Sequence, residues 1–122
     1  MEKFLILVRE DINLLKQIGD EGRYKNMREA ANWVASLAES GNYTDGEPLV
    51  MAGKYVGRDY VLSDGPFIEA KEVISGYFFL HAENIEQAAS IAQSCPLVMQ
   101  EKIVLEIRPV MIVNNNGIVM DP

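Results

Sequence analysis

Ser75-Gly-Tyr-Phe-Phe-Leu-His81, running through Ala-Glu into Asn84-Ile-Glu-Gln87, is the stretch from which the fold can be read. Its first part is β-prone and apolar at both odd and even positions, as a central strand covered on both faces should be. Asn84 and Gln87 then stand at the spacing of a capping box, and Ile85, Ala88, Ala89, Ala92 and Cys95 fall on one helical stripe. Pro96 is read as the stop of that helix. Residues 103–113 form the next strand, in which Pro109 has no amide hydrogen to give a ladder and so marks an edge or a bulge.

Working outward, Lys3-Phe-Leu-Ile-Leu-Val-Arg9 repeats the two-faced strand pattern near the start of the chain. Residues 11–22 are polar, with Gly19 and Gly22 as breakers, and read as a loop holding a helical turn at Leu14-Leu15. A helix follows from the capping-box spacing of Asn26 and Glu29. Met27, Ala30, Ala31, Val34, Leu37 and Ala38 make its apolar stripe, Trp33 lies beside it, and Gly41-Asn42 ends it. Residues 49–56 and 58–62 read as two strands joined at Gly57-Arg58. The order is β-α-β-β-β-α-β. Setting aside one strand of the middle hairpin leaves βαββαβ, an α+β ferredoxin-like fold with both helices on one sheet face. Large apolar side chains on the other face would be wet in a lone subunit, so a second copy is expected to cover them as a homodimer. Residues 1–113 are read as one domain and 114–122 as a C-terminal tail.

Composition removes several functions. The chain has 122 residues, with 11 Lys+Arg against 18 Asp+Glu and a net charge of −7. That balance argues against nucleic acid as a partner, since neutralising phosphates needs clustered bases. One cysteine and one histidine exclude an internal disulfide, a multi-cysteine zinc site and a multi-histidine metal centre. The apolar run Phe4-Leu-Ile-Leu-Val8 is too short for a signal-peptide core or a membrane span, so no membrane association and a cytoplasmic location are expected.

The densest polar cluster is Asp64-Gly-Pro-Phe67 with Glu69, Lys71 and Glu72 behind it. On one reading it is a turn, with Asp64 accepting from the amides ahead of it. On the other, Asp64 and Glu69 enter a cleft as acid or base and Lys71 meets an anion. In the last strand, alternation puts Val104, Glu106, Arg108 and Val110 on one face and Leu105 and Ile107 on the other. Glu106 and Arg108 are then same-face neighbours, either an ion pair or, on a cavity wall, a guanidinium grip for a carboxylate or enolate. His81 reads as a strand-end residue and Cys95 as a buried core thiol.

Asp64-Gly-Pro-Phe-Ile-Glu-Ala-Lys-Glu72, then Gly76-Tyr77, Cys95-Pro96 and Glu106-Ile-Arg-Pro-Val110, resembles the YCII-related family named for its DGPF motif. The resemblance implies a dimeric α+β barrel, two ferredoxin-like sheets facing each other around a pocket. It also implies relatives that are small enzymes on ring lactones and chlorinated aromatics, while others lie beside alternative sigma factors. YCII-type members are associated with a His–Asp pair, but no histidine precedes His81 here. The motif-matched candidates are therefore Asp64 and Glu69 as catalytic groups, with Pro66, Phe67, Lys71 and Arg108 binding a small organic ligand. The expected chemistry is proton transfer or elimination without metal or cofactor. The alternative is a non-catalytic sensor or interaction module linked to transcriptional regulation.

Overall fold

The computed structural model describes residues 1–63 and 72–117 and the backbone of 119–120. Four strands form an antiparallel sheet: β1 (Glu2–Asp11), β2 (Tyr43–Pro48), β5 (Glu72–Ala82) and β6 (Val104–Pro109). Their order across the sheet is β2-β5-β1-β6, the ferredoxin-like arrangement expected from the sequence. The extra hairpin is also present, as β3 (Lys54–Val56) paired with β4 (Val61–Ser63).

The second sheet strand is a correction. It is Tyr43–Pro48, a stretch left unassigned above, and neither strand of the middle hairpin belongs to the sheet. Tyr43-Thr-Asp-Gly-Glu-Pro48 sends only Tyr43 toward the core and puts acids and a terminal proline on the outer edge. Such features protect an edge strand from pairing with a stranger, and they also hide it from a search for apolar alternation. The hairpin strands are correspondingly shorter than the expected 49–56 and 58–62.

The first helical region begins earlier than expected. Asp11 caps α1 (Ile12–Gln17), its Oδ1 accepting from the amides of Asn13 at 2.8 Å and Leu14 at 3.1 Å. Gly19, at φ +67, makes the left-handed joint to α2 (Gly19–Glu39), a conformation that costs glycine least. Asn26 and Glu29 therefore cap nothing. Instead Asn26 Oδ1 accepts from Lys102 Nζ at 3.0 Å and Glu29 Oε2 from Gln100 Nε2 at 3.1 Å, tying α2 to the chain ahead of β6. Gly41, at φ +82, terminates the helix as expected.

Asn84 caps α3 (Ile85–Gln93) as its spacing indicated, accepting from the Gln87 amide at 2.8 Å. The helix ends at Gln93 just ahead of Pro96, as expected, with Cys95 before the proline extended, and Pro96 then opens a further turn, α4 (Pro96–Met99), where a missing amide hydrogen is no loss. The last sheet strand ends at Pro109, on the edge, and Ile112–Val113 (β7) turns away to pair with Val119–Met120 (β8).

Phe4, Ile6, Phe78, Leu80 and Ala82 of the sheet pack under Leu37 and Ala88 of the helices, with Trp33 edge-on to Phe78 at 5.8 Å. Cys95, Leu97 and Ile103 close a second cluster, so Cys95 is the core thiol expected. No described helix is long and apolar enough to cross a membrane.

Candidate functional site

The strand register sorts side chains between the two faces. Phe4 lies opposite Leu80, Ile6 opposite Phe78 and Ile107, and Val8 opposite Leu105, all toward the helices. Their neighbours point the other way: Lys3, Leu5, Leu7 and Arg9 on β1, Tyr77, Phe79 and His81 on β5, Glu106 and Arg108 on β6, Asp45 and Glu47 on β2. No described helix lies over this face. Leu5, Leu7, Tyr77 and Phe79 are half-buried along its middle. Among the described residues, shallow hollows of the single chain lie elsewhere, along α2 and at the foot of α1.

Charged groups stand at the ends and flanks of that apolar strip. Arg9 Nε donates to Glu106 Oε1 at 2.7 Å and Arg108 Nη1 donates to Oε2 at 3.4 Å, so two guanidinium groups hold one carboxylate. The bond from Arg9 is the largest cause that holds the Glu106 carboxyl below the ordinary carboxylate range; burial opposes it, and the bond from Arg108 adds to the lowering. Tyr77 Oη donates to Glu47 Oε2 at 3.2 Å, and the nearby Glu47 charge pushes the phenol upward, keeping it protonated. Lys3 Nζ sits 4.3 Å from the centre of the Phe79 ring. His81 Nε2 lies 3.0 Å from Thr44 Oγ1 at the far end of the face.

Of the residues nominated from the sequence, Arg108 stands on this face beside Glu106, as strand alternation indicated. Asp64, Pro66, Phe67, Glu69 and Lys71 lie outside the described residues. Sequence reasoning missed Arg9, Glu47 and the Thr44 contact of His81. Arg9 was legible as the polar end of the first strand. Glu47 was not, because its strand was not recognised.

The depressed Glu106 carboxyl has a signed consequence. A group whose folded pKa lies below its unfolded value of about 4.3 stabilises the fold above that pH, and the contribution is lost as pH falls through the folded value. Glu106→Gln is therefore expected to shallow the decline of the urea midpoint below about pH 4.3. Identical acid limits in wild type and variant would show that Arg9 and Arg108 do not hold the carboxylate.

Residues 3–114 match the family profile of the YCII-related domain. No curated protein matches the sequence significantly. Among solved structures, the chain is similar to the 5-chloro-2-hydroxyhydroquinone dehydrochlorinase from Burkholderia phenoliruptrix AC1100, solved in complex with 2,5-dihydroxybenzoquinone. The TM-score is 0.57 at 16% identity, over 95% of this chain and 99% of that one. At that identity the likeness concerns the fold.

Proposed function

The chain belongs to the YCII-related family, and on that premise we propose that it is a homodimeric α+β barrel binding a small organic ligand between two helix-free sheet faces. One observation carries the reading: an apolar strip of Leu5, Leu7, Tyr77 and Phe79 ends against the Arg9–Glu106–Arg108 cluster. Aromatic and aliphatic side chains suit the body of a planar ligand, and the two guanidinium forks suit a carboxylate or enolate on it. The solved relative, a dehydrochlorinase holding a dihydroxybenzoquinone, supports that ligand class.

Glu106, held ionised by two arginines, is a poor proton shuttle and a good clamp for their orientation. Proton transfer or elimination then falls to the motif, with Asp64 or Glu69 as base and Pro66, Phe67 and Lys71 at the chamber mouth. The motif joins β5 at Glu72, which pairs with Asp11, at the sheet end where Arg9 stands. No cofactor enters this scheme. The ionised state of Glu106 equally favours the sensor reading, in which the ligand is held and not converted.

Calorimetric titration with 2,5-dihydroxybenzoquinone and with simple aromatic acids tests the proposal. Arg9→Met is expected to weaken anion binding about 10–100-fold, the loss of one charge-assisted hydrogen bond. A bound probe recovered unchanged selects the sensor; turnover abolished by Asp64→Asn or Glu69→Gln selects the enzyme. A protein that is monomeric and binds no probe would refute both.

A further inference from the structure

The helix-free face has a second polar end, away from the Arg9–Glu106–Arg108 cluster. Lys3 on β1 and His81 on β5 are cross-strand partners there, one two-residue step past Leu5 and Phe79. That step is about 7 Å along the strand. The half-buried His81 is pinned from two sides. Its amide donates to the Asn42 carbonyl at 2.7 Å and its own carbonyl accepts from Asn42 Nδ2 at 2.7 Å, which ties its backbone to the turn between α2 and β2. Its Nε2 lies 3.0 Å from Thr44 Oγ1. Thr44 is the extra residue of a bulge, since Tyr43 pairs with Leu80 and Asp45 with Phe79. A bulge re-aims a side chain that a regular strand would place elsewhere. Opposite His81, Lys3 Nζ rests 4.3 Å from the centre of the Phe79 ring, which draws its flexible stem over the apolar strip. Among the described residues His81 Nδ1 has no hydrogen-bond partner and Lys3 no ion-pair partner.

We infer that Lys3 and His81 form a second polar subsite, which takes a phenolic or enolic hydroxyl of the ligand at the end away from its acid group. The inference rests on the ligand-binding reading above and narrows the ligand class to a hydroxylated planar acid. With Nε2–H donating to Thr44 Oγ1, Nδ1 keeps its lone pair and accepts from the ligand hydroxyl. Lys3 Nζ donates to the same oxygen, so the hydroxyl meets one acceptor and one donor. A ring edge without a hydroxyl satisfies neither, and it leaves both nitrogens unpaired in a covered chamber, which costs affinity. One substituted aromatic ring lying over Leu5 and Phe79 has the guanidinium groups at one end and Lys3 with His81 at the other. Thr44 is a positioning residue in this scheme, because it acts through the imidazole and fixes its tautomer.

Paired probes test the subsite: 4-hydroxybenzoate against benzoate, which lacks only the hydroxyl, each titrated by calorimetry. The wild type is expected to bind 4-hydroxybenzoate about 10-fold more tightly, the worth of the added hydrogen bonds. Lys3→Met and His81→Phe should each reduce that preference, and the double variant should abolish it. A second measurement needs neither of these variants. The chain has one histidine, so its imidazole nitrogens give a single set of signals in the nuclear magnetic resonance spectrum. The Nδ1 signal is expected to move with 4-hydroxybenzoate and to stay with benzoate, while Nε2 keeps its proton. Thr44→Val should lose that tautomer and Thr44→Ser should keep it. Equal wild-type affinity for the two probes, a hydroxyl preference that survives the double variant, or an Nδ1 signal blind to the hydroxyl would overturn the subsite. Benzoate binding that still depends on Arg9 would then leave the ligand reading standing. A wild type that binds neither probe would overturn the subsite and that reading together.

Discussion

Phe4→Ala is expected to cost about 3–5 kcal/mol of folding stability, read from the midpoint of urea unfolding. Phe4 is 1% exposed on a central strand and packs with Leu80, which is fully buried opposite it. Truncation removes its transfer energy and leaves a cavity between a sheet and two helices, which cannot easily collapse together. Domains of this class hold only about 5–15 kcal/mol in all, so the variant should be close to unfolded at room temperature or have a markedly lowered midpoint. Met99→Ala is the matched control, since Met99 is 71% exposed and should change stability by no more than about 0.5 kcal/mol. A Phe4 loss near the control's would mean that the core lies elsewhere.

Gly46→Ala should also be severe, for a different reason. A Cβ at Gly46 would stand 2.4 Å from Phe78 Cβ and 2.6 Å from the Tyr77 carbonyl oxygen, atoms fixed in the central sheet. The edge strand must move outward or distort, at a cost of about 1–3 kcal/mol or more. Gly53→Ala is the control, with nothing within 4 Å of its added Cβ and an expected change within about 0.5 kcal/mol. Equal stabilities for the two variants would show that β2 yields freely.

Strands with apolar residues on both faces were legible at once, because β1 and β5 are central and each face has something to cover. The cap of α3 was legible from Asn84 and Gln87, since that signal is local. Asn26 and Glu29 have the same spacing but meet Lys102 and Gln100, partners more than 70 positions away, which no local pattern can foretell. Gly19 was read as a breaker and is one, but it separates two helices instead of ending a loop. Likewise β2 escaped notice because an edge strand needs little apolar surface, and with it went Glu47. Glu106 and Arg108 were found because a strand alternates; Arg9 was visible as the polar end of its strand, but its partner Glu106 emerged only from the β1–β6 register that sets the two diagonally side by side.

The placing of β1 between β5 and β6 carries a cost in time. Strand β1 leaves the ribosome before either neighbour has been made, and β5 is complete only at Ala82. At roughly 5–20 residues per second, Phe4 and Ile6 wait several seconds in a nascent chain with no sheet to join. Contacts between such distant segments also close slowly once the chain is free. An apolar segment held back in this way is exposed surface of the kind that chaperones cover during synthesis.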